Sequence, residues 1–404
     1  MRIRGFTPQF STSVQFSQTK IQEMKMAPMP LPLFFFFVFL FPSLFSLQAN
    51  SQLSELSTPP SLPSPLAPAL FVIGDSTVDS GTNNHLLTLA RADHPPYGRD
   101  FDTGRPTGRF SNGRLVVDYL ALRLGLPFVP PYLGLNGKVE ELVQGVNYAS
   151  AGAGVIFASG SNLGMHLSLK RQMQQVSDTY ERLELGLGEV AAADLFTKSV
   201  FYISIGTNDF THYYFRNTTN IRSLYLPWEF NQLLVETIQH ELKNLYNLNV
   251  RKVIIMGVAP IGCSPHYLWE YNSVYGECVE QINNMIVQLN FAMTYMVHKL
   301  NMELDGAMFT FCDAFEGSLD ILKNRDRYGF LSTTDACCGM GKYGGRVMCL
   351  FPEMACRNAT NHVWWDQYHP TDAVNRILAD NVWSGKHAEM CYPMNLLNMT
   401  THKT

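Results

Sequence analysis

No cluster of lysine and arginine occurs anywhere in the 404 residues, and the formal net charge is −4. Basic surfaces are what bind nucleic acid, through release of counterions, so a nucleic-acid partner is not expected. After the first fifty residues no apolar run approaches the roughly 20 residues a membrane-spanning helix needs. His-Glu-x-x-His, Cys-x-x-Cys and the phosphate-binding glycine loop are all missing, so neither a metal nor a nucleotide cofactor is implied. Gly-x-Ser-x-Gly is missing too, which argues against the usual strained nucleophile elbow. No internal repeat is present.

What the chain does have begins with a leader. Arg2, Arg4, Lys20 and Lys25 precede the apolar run Leu31–Phe41, which continues to Leu47, and the small residue Ala49 follows. A basic region, an apolar region and a small-residue exit describe a secretory signal peptide over 1–49. An uncleaved anchor is the rival reading, weakened by Pro32, Pro42, Ser43 and Ser46. Eight cysteines behind such a leader imply an oxidising compartment and disulfides. Asn217, Asn358 and Asn398 open acceptor sequons that a secreted chain could use.

Residues 50–68 carry five prolines among serines and read as an extended lead-in. From there short apolar runs alternate with helical patterns. Ala69–Ile73, Leu142–Tyr148, Val200–Ile205, Arg251–Met256 and Met308–Phe311 read as strands. Leu115–Leu124 and Leu167–Leu183 read as helices, as do the stripes Phe230/Leu234/Ile238/Leu242 and Ile282/Met285/Ile286/Leu289. Thr371-Asp372 open a last helix. This alternation predicts an α/β fold, a three-layer α/β/α sandwich over a mainly parallel, flavodoxin-like sheet of about five strands. A single domain is expected over 69–394, with a tail over 395–404.

Gly74-Asp75-Ser76-Thr77 follows the first strand and displays one serine at the sheet's carboxyl edge, where ligands sit in open α/β sheets. As a nucleophile, serine needs a base, a group orienting that base, and donors for the oxyanion. Gly152, Asn208 and His369 follow other strands or precede the last helix, and could converge on the same edge.

In this setting Phe71–Gly81 resembles the first block of the GDSL (SGNH) esterase/lipase family. Pro96–Phe101 and Pro106–Gly113 resemble its plant branch, Gly145–Gly154 the second block, Gly206–Asp209 the third, and Asp366-x-x-His369-Pro370 the last. The resemblance implies the SGNH hydrolase fold and a secreted serine esterase or lipase acting on small-molecule or lipid esters. By position it implies Ser76 as nucleophile, His369 as base, Asp366 as its orienting acid, and Gly152 and Asn208 as oxyanion donors beside the Ser76 N–H. It leaves open an acyltransferase using the same acyl-enzyme, or a non-catalytic protein on this fold. Gly154 is the rival to Gly152, and Asp209-x-x-His212 repeats the spacing of the last block. Asp209 is expected instead to brace the third-block loop. Thr77 stands where the family's name has leucine and has no assigned work. Cys263 and Cys278 are spaced to close one loop, while Cys337, Cys338, Cys349 and Cys356 crowd the segment before the Asp366/His369 pair. Cys312 is expected as a free buried thiol, and Cys391 has no assignment.

Overall fold

The computed structural model describes residues 64–402 except 217, so the expected signal peptide and the Asn217 sequon lie outside the described residues. In chain order the main elements are β1 (Leu70–Gly74), α1 (Val116–Leu124), α2 (Leu169–Leu187), α3 (Glu189–Lys198) and β2 (Val200–Ser204). Then come α4 (Pro227–Asn247), β3 (Lys252–Met256), α5 (Glu280–Glu303), β4 (Met308–Cys312) and α6 (Ala314–Lys323). The last are β5 (Ser332–Ala336), β6 (His362–Trp364), α7 (Asp372–Ser384), β7 (Cys391–Tyr392) and α8 (Leu396–Thr401).

The central sheet runs β1-β2-β3-β4-β7, parallel except for β7. Its strands are apolar on both faces because helices cover both. Phe71, Ile73, Phe201 and Ile203 point into the core shared with α2, α4 and α5. Their alternates Leu70, Val72, Val200 and Tyr202 point into the core shared with α1, α7 and α8. This is the expected three-layer sandwich. The register sets Gly74 beside Ser204, and Ser204 beside Met256, so the carboxyl ends of the strands share one edge.

Two expectations about the sheet need correction. Leu142–Tyr148 does not form a regular strand, since Leu142 ends a short helix and Gly145 takes φ 116°, which breaks extended backbone. The segment still lies along β1: Val72 N–H donates to Val146 O (2.9 Å) and Tyr148 N–H to Val72 O (2.7 Å). The fifth strand is β7, and it is joined to β4 by Cys312–Cys391. Cys312 is therefore not a free thiol. Side-chain pairing across 79 positions leaves no local sequence signal.

The other disulfides are Cys263–Cys278, Cys337–Cys356 and Cys338–Cys349, and among the described residues no cysteine is free. Cys337 and Cys338 also donate their N–H groups to Trp364 O and Trp365 O, so the crosslinked loop lies against the strand leading to Asp366. Residues 395–402 do not trail away. Leu396 and Met399 on α8 are fully buried against α7, because a helix two turns long needs such packing to persist. No helix among the described residues is long and apolar enough to cross a membrane.

Replacing Leu396 by alanine is expected to cost about 2–5 kcal/mol of stability. It should lower the urea midpoint at unchanged m-value; an unchanged midpoint would show that α8 is not part of the cooperative unit.

Candidate active site

The turn after β1 is fixed from three sides. Gly74 N–H donates to Gln172 Oε1 on α2, and Gln172 Nε2 donates back to Gly74 O, each at 2.8 Å. Asp75 Oδ1 accepts the Thr77 N–H (3.0 Å) and the Thr77 hydroxyl (2.7 Å), and that hydroxyl also meets Ser204 Oγ at 2.9 Å. Thr77 thus ties the turn to the end of β2, which a leucine could not do. Ser76 is left facing a cavity of about 270 Å³ lined also by Gly152, Asn208, Asp366 and His369.

His369 Nε2 lies 2.7 Å from Ser76 Oγ, and His369 Nδ1 lies 2.8 Å and 2.9 Å from the two Asp366 oxygens. A carboxylate can only accept, so the ring proton sits on Nδ1 and Nε2 is free to accept the serine O–H. Asp366 is buried and also accepts the Tyr368 and His369 N–H groups and the Tyr97 hydroxyl. Burial raises its pKa, but the attraction of His369 and these donors outweigh that and hold it below the ordinary carboxylate value. Tyr97 was not singled out in the sequence, although it belongs to the Pro-Tyr-Gly block that carried the resemblance. Its hydroxyl is the contact that block makes with the site.

Gly152 and Asn208 stand across the cavity from this chain of hydrogen bonds. Among the described residues neither the Gly152 N–H nor the Ser76 N–H has a protein acceptor. Asn208 Nδ2 donates one hydrogen to Ala153 O at 2.9 Å and keeps a second. Gly154 is not in the lining; a Cβ there would sit 2.7 Å from Asp209 Oδ1, so this glycine permits close packing.

The loop carrying Gly152 hangs on two buried carboxylates. Asp79 accepts the N–H groups of Gly81, Thr82 and Ala151, at 2.7, 2.7 and 3.0 Å. Asp209 accepts those of Val155 and Ile156, both at 2.8 Å, and the Ser159 hydroxyl. Asp209 therefore braces the second-block loop and not the third-block loop expected. Its oxygens being so engaged, it does not orient His212. His212 does line the cavity, but burial first, then the neighbouring His266 and Arg216, push its pKa down to about 4. Asn83 also supports this loop by donating to Ala151 O at 2.9 Å.

These groups sit on a chain whose residues 70–382 match the family model described as GDSL-like Lipase/Acylhydrolase. The chain belongs to that family. The Arabidopsis thaliana protein named GDSL esterase/lipase 7 is 41% identical over 83% of this chain and 92% of its own length. Another from the same plant, GDSL esterase/lipase At5g08460, is 37% identical over 82% of this chain and 87% of its own length. Cys337, Cys356 and His362 also gather closely, but the two sulfurs are joined to each other and so are not metal ligands.

Burial pushes Asp75, Asp79 and Asp209 up to about 6. In the unfolded chain each titrates near ~3.9. Between about pH 4 and pH 6 the unfolded chain releases these protons while the folded one retains them, so stability falls as pH rises through that window. Asp209→Asn removes one such group. The variant should lose stability less steeply than wild type between pH 4 and 6, read from urea midpoints across the range; parallel curves would contradict the raised value.

Proposed function

We propose that this GDSL-family chain hydrolyses carboxylic esters through Ser76, His369 and Asp366. The class, carboxylic ester hydrolase, comes with the family. The observation that carries the residue roles is the unbroken chain of hydrogen bonds from Ser76 Oγ through His369 to Asp366 at the wall of an open cavity.

His369 Nε2 takes the serine proton as Oγ attacks the ester carbonyl. The imidazolium formed is stabilised by Asp366, which stays ionised because its pKa is held low. The negative charge gathering on the carbonyl oxygen is met by the N–H groups of Ser76 and Gly152, which have no protein acceptor among the described residues, and by the second hydrogen of Asn208 Nδ2, the first being given to Ala153 O. His369 then protonates the departing alkoxide. Water enters, gives a proton to the same ring and attacks the acyl carbonyl; as the Oγ–acyl bond breaks, His369 returns that proton to Ser76 Oγ and the acid leaves. Tyr97 acts through Asp366, fixing the second carboxylate oxygen. No step needs a cofactor.

The chain is also proposed to be secreted after removal of residues 1–49. Supporting this are the leader's composition and the pairing of all eight cysteines. Of the two described sequon asparagines, both exposed, Asn358 stands in a loop and is the better presented for glycosylation, whereas Asn398 lies within α8.

A fluorophosphonate label is expected to attach to Ser76, identified by mapping the tagged peptide, and Ser76→Ala should abolish both labelling and p-nitrophenyl acetate turnover. Wild-type turnover by that variant would refute the mechanism. Asn208→Ala should lower kcat by about 100- to 1,000-fold. His369→Ala should be inactive while His212→Ala keeps most of its activity; equal loss in the two would return the base role to His212.

A further inference from the structure

Beside the catalytic cavity lies a second one of about 100 Å³, at the carboxyl ends of β2 and β3 and under α6. Thr77, Thr207 and Tyr368 line both, so the two share a wall beginning one residue from the nucleophile. Their chemistry differs sharply. The catalytic cavity holds Arg91, Arg346, His212 and His266 around its reacting groups. The second carries no ionisable acid or base apart from tyrosine hydroxyls, and is walled chiefly by aliphatic and aromatic side chains such as Met256, Ile321 and Leu378. A mainly apolar space of this kind favours a hydrocarbon and penalises a charged or strongly hydrated group.

We infer that this second cavity is the acyl-chain subsite, which makes esters of short, unbranched fatty acids the preferred substrates. The inference rests on Ser76 being the nucleophile. An ester bound at Ser76 has two arms. The alcohol arm, often polar, suits the side with the arginines and histidines; the acyl arm suits the side without charge. Size sets the length. A dry cavity of about 150 Å³ holds a benzene ring, so about 100 Å³ holds about four carbons. With the carbonyl and its neighbouring carbon still in the catalytic cavity, a hexanoyl group fills the space. Ser318 and Leu322, both on α6, line this cavity and not the catalytic one, so their size changes the room for an acyl chain without touching the reacting groups.

The test is kcat/KM for p-nitrophenyl acetate, butanoate, hexanoate, octanoate and palmitate. The wild-type value should rise about fourfold per methylene as far as hexanoate, the gain for burying each CH₂, and then fall. Ser318→Phe fills the cavity and should reduce the hexanoate-to-acetate ratio at least tenfold. Leu322→Ala enlarges it and should move the optimum to octanoate, so the two changes act in opposite directions and a folding defect in one does not imitate the pair. If Ser76 is labelled by fluorophosphonate but the wild-type profile is flat, or neither variant moves it, the acyl subsite is overturned while the nucleophile stands. If Ser76 is not labelled, the reading beneath the subsite fails and the subsite falls with it.

Discussion

Buried carboxylates accepting backbone N–H groups are what the rest of this site depends on. The loops at the carboxyl edge of the sheet are largely buried, and their backbone donors have no helix or strand to satisfy them. Asp75, Asp79, Asp209 and Asp366 each take up some of these donors, and between them they fix the serine turn, the loop carrying Gly152, and the turn into α7. The cost of burying such charges is large unless donors surround them. Three of the four show that cost as a raised pKa, and the fourth escapes it through its histidine. The site is rigid because satisfying these acceptors leaves each loop with one low-energy arrangement.

A second layer of support lies outside the sheet. Arg109 and Asp118 form a buried ion pair at 2.7 Å, and Asp118 also accepts the Leu115 N–H that opens α1. Asn112 Oδ1 accepts the Asp372 N–H at the first turn of α7, and Asp372 in turn accepts the Arg114 N–H and the Tyr119 hydroxyl. The segment from Arg109 to Arg114 thus binds α1 to the first turn of α7, just after His369. Cysteine pairs do the same for the segment ahead of Asp366. These contacts make no chemistry of their own; they limit how far the three reacting groups can drift apart.

Much of the candidate site was legible in the sequence because its parts are short blocks with strict local geometry. A serine after a buried strand, an Asn-Asp after another, and Asp-x-x-His at a helix entrance each carry their own backbone constraints. What was not legible was every contact made by a residue whose partner lies far along the chain. Tyr97 reaches Asp366 across 269 positions, and Gln172 reaches Gly74 across 98. Cys312 looks like a core thiol until β7 is folded back beside it. Asp209 shares its spacing to a histidine with the last block, and only the contact tells the two apart: Asp366 reaches the His369 ring, whereas the His212 ring meets Asn162 and not Asp209.

By itself the sequence determined the layered α/β fold and the order of the blocks, because periodicity and turn chemistry are properties of neighbours in the chain; the candidate site residues came from the resemblance those blocks carry. Only the tertiary structure decided which N–H groups remain without acceptors at the cavity, which of two glycines lines it, where the cysteines pair, and that an uncharged cavity lies beside the turn holding Ser76. Those depend on distances between segments, and hydrophobic patterning leaves such distances open until the cores have packed.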